Sequence, residues 1–187
     1  MRRLVLAKHA MPMVRPDVPA SRWHLSTEGI AGAKRLAERL HAYEPSVILS
    51  STEPKALETA AIVADALGVR VESPFGLHEH QRPEPGLLEQ AEFDRRVGEL
   101  FARPSEVVFG AESANDALRR FAAAVDRALA ADDRSDLVVI SHGTVISLFV
   151  AARAHEDGGR VWKMLGLPSY VVLELPAFRL TELVAAL

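Results

Sequence analysis

The stretch that decides the fold is Leu137, Val138, Val139, Ile140, Ser141, His142, Gly143 and Thr144, followed by the largely apolar run from Val145 to Ala154. Residues 137 to 154 are apolar enough to suggest a membrane span, yet His142 and Gly143 fall where a strand would turn into a helix. Four aliphatic residues bounded by a polar turn fit a strand buried on both faces, as in a parallel sheet. The chain opens in the same way: Arg3, Leu4, Val5, Leu6 and Ala7 run into Lys8, His9 and Ala10. Parallel strands send their carboxyl ends to one edge, where open α/β sheets place their ligands. His9 and His142 are therefore expected in one pocket.

Between these two units strands and helices alternate. Ser26 or Thr27 offers a cap for a helix whose apolar positions Ile30, Ala33, Leu36, Ala37 and Leu40 recur at helical spacing. Val47, Ile48 and Leu49 make a short strand ending at Ser50 and Ser51. Thr52 can cap a second helix, with Pro54 in its first turn, that runs through Ala56, Leu57, Ala60, Val63, Ala64 and Leu67 and stops at Gly68. Val69 and Val71 form a weak strand. Residues 73 to 112 break the rhythm with Pro74, Gly76, Pro83, Pro85, Gly86, Pro104 and Gly110, and hold one helical piece from Leu87 to Phe101. Connections this long are usually functional, and this one reads as a cap-like excursion beside the site. A helix from about Asn115 to Ala131 precedes the strand at 137. The tail, Tyr170 to Leu175 and Phe178 to Val184, reads as two strands joined across Pro176. The expected fold class is α/β, a three-layer α/β/α arrangement with a mainly parallel central sheet, in a single domain over 1–187.

Composition narrows the partners. At 187 residues, 49% apolar and 25% charged, the chain has enough length and apolar content for a globular core. A net charge of −3 without a basic stripe argues against nucleic acid. The apolar opening stops at Lys8, short of the ~7–15 residues of a signal peptide, so no membrane partner is expected. The absence of cysteine excludes disulfides, thiolate metal sites and a cysteine nucleophile, and fits an expected cytoplasmic location.

The carboxyl edge would gather Lys8 and His9 after the first strand, Lys55 in the first turn of the second helix, and His142 with Gly143 after the fourth strand. Glu79 lies in the excursion. Two lysines, two histidines and a helix N-terminus suit a small dense anion such as phosphate, and a carboxylate beside it supplies a proton donor. A lysine at a helix N-terminus opposes the macrodipole by a few tenths to ~1 kcal/mol, so Lys55 asks for an anion. Plainer readings stand beside these: Lys8 and Lys55 as solvated charges, the histidines as structural, and Arg15, Arg22 and Arg82 as surface residues instead of readers of the substrate. Glu72 and Glu84 compete with Glu79 as the acid. His78 and His80 flank Glu79 but point different ways on a short loop, which favours the entrance over a metal site; no metal is expected. His41 and His155 are expected on exposed helical surface, and Trp23 in the packing of the first loop.

Taken in order, these residues resemble the histidine phosphatase superfamily, also called the phosphoglycerate-mutase-like fold. Its Arg, His, Gly triplet after the first strand corresponds to Lys8, His9 and Ala10, and its Leu, Ser and later Gly to Leu25, Ser26 and Gly29. Its Ser, Ser stretch with an Arg and a downstream Thr, Ala corresponds to Ser50, Ser51, Lys55, Thr59 and Ala60. Leu77 with Glu79, the phrase Gly110, Ala111, Glu112, Ser113, and the final Ser141, His142, Gly143 complete the set.

The resemblance implies a phosphatase that hydrolyses a small phosphomonoester or phosphoprotein through a phosphohistidine on His9, with no cofactor. Glu79 would protonate the leaving oxygen and later deprotonate water, while His142, Lys8, Lys55 and Gly143 hold the phosphoryl oxygens. Arg15, Arg22, His78 and Arg82 are left for the rest of the substrate. Three positions depart from the pattern: lysines stand at 8 and 55 in place of arginines, and alanine at 10 in place of glycine. Lysine keeps the charge and loses the planar fork. A catalytically weakened or inactive phosphate-binding or regulatory module of the same fold is thus the alternative. A phosphoglycerate-type mutase ranks below both, because the compact chain lacks the larger insertions of such mutases. The oligomeric state stays open.

Overall fold

In the computed structural model, which describes residues 1–82 and 88–187, the two most strongly marked strands lie side by side in one six-stranded sheet. Strand β1 (Arg3–Lys8) runs parallel to β4 (Asp136–Ser141), pairing Leu4 with Leu137 through to Lys8 with Ser141. On the far side of β4 comes β2 (Pro45–Ser50), also parallel, and then the short edge strand β3 (Arg70–Glu72). On the far side of β1 the tail forms a hairpin: β5 (Ser169–Glu174) is antiparallel to β1, and β6 (Arg179–Val184) is antiparallel to β5. The order is β3-β2-β4-β1-β5-β6. The mainly parallel sheet of the sequence reading holds, with an antiparallel hairpin at one side because so short a link cannot make a parallel crossover.

Successive side chains of a strand point to opposite faces, and both faces are covered. Leu4, Leu6, Leu137, Val139, Val171 and Leu173 pack against α4 (Ala114–Ala131) and α5 (Gly143–Ala154), where Phe121 and Phe149 meet edge to face at 5.7 Å. Leu100 of α3 (Gln90–Ala102) and Val161 of α6 (Gly158–Met164) join this core. Val5, Ala7, Val138, Ile140 and Val172 face the other way, onto Leu36 and Leu40 of α1 (Thr27–Leu40) and Ala60 and Val63 of α2 (Pro54–Leu67). Burying one leucine completely contributes roughly 1.5–3 kcal/mol. The strands that carry His9 and His142 are thus buried on both faces.

Local sequence sets the helix starts. Ser26 caps α1, its Oγ accepting from the Gly29 amide at 3.0 Å. Gly29 is required there, since a Cβ would stand 2.0 Å from the Met11 carbonyl oxygen. The expected Thr52 cap is not used: Glu53 takes the cap position of α2 without a capping hydrogen bond, and Pro54 begins the helix. Gly68 ends it at φ 68°. Helix α3 begins at Gln90; the start expected at Leu87 lies outside the described residues, as do Pro83, Glu84, Pro85 and Gly86. Ser113 and Asp116 form a reciprocal capping box at the start of α4. Helix α6 was not foreseen, because seven residues opening on Gly158 and Gly159 give too little periodicity; Asp157 caps it. Among the described residues, no helix is long and apolar enough to cross a membrane.

Candidate active site

The pairing of Lys8 with Ser141 carries one residue further, where the His9 amide donates to the Ser141 carbonyl at 3.0 Å. The two imidazoles beyond it meet edge to face with centroids 5.1 Å apart. The Ser51 amide donates to the Ile140 carbonyl at 3.0 Å, which brings the end of β2 level with them. The chain leaves β1 toward α1 and β4 toward α5, on opposite faces, the divergence at which open α/β sheets take their ligands.

His9 is buried, with Nδ1 2.8 Å from the carbonyl oxygen of Ala10. A carbonyl can only accept, so Nδ1 carries the proton and Nε2 keeps its lone pair. Burial, followed by the nearby His142 and Lys55, holds its pKa well below the usual histidine range. His142 is buried too, with Nε2 2.8 Å from the Ser51 hydroxyl; among the described residues its Nδ1 has no partner. Burial and then Lys55 depress its pKa likewise.

Each lysine is tethered by backbone. Lys8 Nζ donates to the Leu165 carbonyl just past α6 at 2.7 Å, and burial lowers its pKa. Its chain lies across Gly143, where a Cβ would come within 3.2 Å of Lys8 Cε. Lys55 Nζ donates to the Ala20 carbonyl at 2.6 Å and pairs with Glu53 Oε2 at 2.5 Å. Thr59 links this helix to the His9 loop, donating its hydroxyl to the Lys55 carbonyl at 2.7 Å and accepting from the Ala10 amide at 3.1 Å.

Glu79 is brought to the N-terminus of α5. Its carboxylate accepts from the amides of His80 at 2.8 Å, Thr144 at 3.2 Å and Val145 at 3.3 Å, and lies 3.9 Å from the Arg82 guanidinium. Burial pushes this carboxyl up, but Arg82, His142 and the amides together outweigh it and bring the pKa down to about 2. Arg82 is anchored at the same helix end by a 2.6 Å bond to the Thr144 hydroxyl, and its guanidinium lies 4.9 Å from the Phe93 ring and 5.3 Å from the Phe109 ring.

Not every expected residue joins this group. His78 is half-buried, its ring 5.4 Å from that of Phe75, and burial followed by Arg120 lowers its pKa. His80 is not at the entrance: it is buried, with Nε2 2.9 Å from the Glu112 carbonyl, because Gly110 lets the two segments close on one another. Arg15 is exposed and paired with Asp17 at 2.8 Å, and Arg22 is exposed at the end of the 3-10 turn Ala20–Arg22. His41 and His155 are exposed. Trp23 holds the first loop, its indole N–H donating to the carbonyls of Arg15 and Val18. Among the described residues, no group of three or more His, Asp or Glu side chains is placed to hold a metal ion.

Two contributors had no role at the site in the sequence reading: the Ser51 hydroxyl, named there only within the Ser50, Ser51 stretch, and the Glu53 carboxylate. Glu53 and Lys55 are two residues apart, a spacing that does not bring helical side chains together, so no periodic signal marks them as a pair.

A family model described as histidine phosphatase superfamily, branch 1, matches residues 13–180. The chain belongs to the histidine phosphatase superfamily. The matched span includes Ser50 to Ala60, Glu79 and Ser141 to Gly143, while His9 lies just ahead of it and is placed by the β1–β4 register. Solved members share the fold over their whole length. A mycobacterial glucosyl-3-phosphoglycerate phosphatase superposes with a TM-score of 0.76 at 21% identity, covering 100% of this chain and 99% of that one. Bacillus stearothermophilus YhfR gives 0.77 at 21% identity, covering 100% and 96%. A phosphoserine phosphatase from Entamoeba histolytica, in complex with 3-phosphoglyceric acid, gives 0.79 at 17% identity, covering 98% and 97%. The mycobacterial enzyme has also been solved with inorganic phosphate. No curated protein matches the sequence.

Proposed function

We propose that this superfamily member is a phosphatase that hydrolyses a small phosphomonoester or a phosphoprotein, with His9 as the nucleophile. The observation that carries the reading is the His9 ring: neutral, fixed through Nδ1 to the Ala10 carbonyl, its Nε2 lone pair uncommitted, and set edge to face against His142 between two tethered lysines. Nε2 attacks phosphorus, a phosphorus–nitrogen bond forms, and the bond to the leaving oxygen breaks as Glu79 gives that oxygen a proton. Water then attacks phosphorus as Glu79 takes its proton, the phosphorus–nitrogen bond breaks, and inorganic phosphate leaves with neutral His9 restored. The ammonium groups of Lys8 and Lys55 and the α5 N-terminus at Gly143 stabilise the charge of the transferring group. The Ser51 hydroxyl, which accepts from the Glu53 amide at 3.2 Å, stands 2.8 Å from His142 Nε2, and the Nδ1 edge of that ring, without a partner among the described residues, is left for a phosphoryl oxygen. The Arg82 guanidinium, set among the rings of the excursion, supports the reading of residues 73 to 112 as a cap over a single domain.

One observation favours the second reading, a phosphate-binding module without turnover. A carboxyl held near 2 is ionised in the free protein and has no proton to give. Arrival of a phosphate dianion beside Glu79 raises its pKa, and the phosphatase reading requires this step. The test is steady hydrolysis of p-nitrophenyl phosphate together with quenching from a labelled phosphomonoester. The phosphatase reading expects acid-labile label on the wild type, and neither label nor turnover in His9→Ala. Normal turnover by His9→Ala overturns it, and phosphate binding without turnover by the wild type establishes the module.

A further inference from the structure

We infer that Glu53 is the positioning residue of the phosphate site, fixing the Lys55 ammonium and tying it to His142 and to the backbone that carries Glu79; this rests on the function proposed above. Its side chain is only 11% exposed, so its carboxylate has few contacts with water and must be satisfied by protein groups. Oε2 pairs with Lys55 at 2.5 Å, while Oε1 accepts from the Glu79 amide at 3.0 Å and stands 3.4 Å from His142 Nε2. One carboxylate thus touches three of the segments that meet here: the start of α2, the excursion, and the joint between β4 and α5.

The local backbone shows that this is not ordinary helix capping. Glu53 sits at the cap position of α2, yet its side chain makes no bond to the helix amides, and Pro54 after it has a fixed φ and no N–H. The carboxylate is turned away from its own helix and into the site. The chemistry of lysine explains why such a residue is needed. An arginine presents a rigid fork whose direction is set by its plane, whereas an ammonium on four methylenes takes its direction from whatever accepts its protons. Here two fixed acceptors, the Ala20 carbonyl and Glu53, hold the Lys55 ammonium in one place. One of its three N–H bonds remains for a phosphoryl oxygen. Lys8 donates to the neutral Leu165 carbonyl, so the two lysines are held differently: one is paired directly with a carboxylate and the other with a carbonyl.

The experiment compares wild type, Glu53→Gln, Glu53→Asp, and Glu53→Gln combined with Lys55→Arg, each checked for a native melting transition. Glu53→Gln is expected to lower kcat on p-nitrophenyl phosphate by about ten- to a hundredfold, as for a misplaced catalytic group, with little change in KM. Arginine at 55 supplies its own direction, so Lys55→Arg in the Glu53→Gln background is expected to recover most of the lost kcat. A carboxylate needed only for folding would lower the melting temperature and would not be rescued by that change. Unaltered kcat in both Glu53→Gln and Glu53→Asp overturns the inference, as does a double variant no better than Glu53→Gln. Should the wild type show no turnover, the phosphatase reading fails by itself. Glu53 is then read from titration with inorganic phosphate monitored by the imidazole NMR signals of His142, which phosphate is expected to shift less in Glu53→Gln and to shift again in the double variant. Equal shifts in all variants overturn it.

Discussion

Glu79 sits where its charge is worth most, and acid titration measures how much. Its carboxyl falls from an ordinary value of 4.5 to about 2 in the folded chain. The folded value is depressed, so the ionised group contributes stability that is complete above the unfolded value and is lost as pH falls through the folded one. At 1.36 kcal/mol per unit, a fall of about 2.5 units is worth about 3 kcal/mol, of which about 2 kcal/mol is gone by pH 3. With its side chain 19% exposed, the group is shielded enough for this figure to hold to order of magnitude. The perturbation is Glu79→Gln, which keeps the shape and removes the titration. Urea unfolding of both proteins between pH 7 and pH 3 gives the difference in stability at each pH. That difference is expected to move toward the variant by about 2 kcal/mol across the range, with most of the change below pH 4.5. A difference independent of pH would refute the placement of the carboxylate against Arg82 and the amides of His80 and Thr144.

Two further outcomes follow from the site's geometry. Burial lowers the Lys8 pKa, with Glu79 raising it and Arg82 lowering it in turn; activity is therefore expected to fall at alkaline pH before the usual lysine value, and Lys8→Arg to carry that limb upward, read from kcat/KM against pH. Thr59→Val leaves the buried Ala10 amide without its acceptor, a cost of roughly 1–3 kcal/mol in urea unfolding, with a fall in kcat because that loop carries His9.

How much of this was legible in the sequence depends on the range of the interaction. The strand ends at Lys8, His9, Ala10 and at Ser141, His142, Gly143 were legible because an aliphatic run ending in a polar turn is a local signal, and the parallel sheet then forces both ends to one edge. The cap at Ser26 was legible for the same reason. Glu53 was not, because its importance comes from Glu79 and His142, neither of which is near it in the chain. The anchor of Lys8 at the Leu165 carbonyl lies 157 residues away and behind a helix too short to announce itself. His80 looked like a rim residue beside Glu79, but Gly110 lets the segment carrying Glu112 close over it, a packing event with no periodic trace.

The β1–β4 register has a consequence for how the protein divides reaction from recognition. His9 and His142 hang from strands sealed on both faces, and their separation cannot change without breaking the sheet between them. Arg82 belongs to the excursion, held by one hydroxyl and the faces of Phe93 and Phe109. On the proposed function, substitutions along residues 88 to 112 are therefore expected to change what is admitted while the two imidazoles keep their spacing.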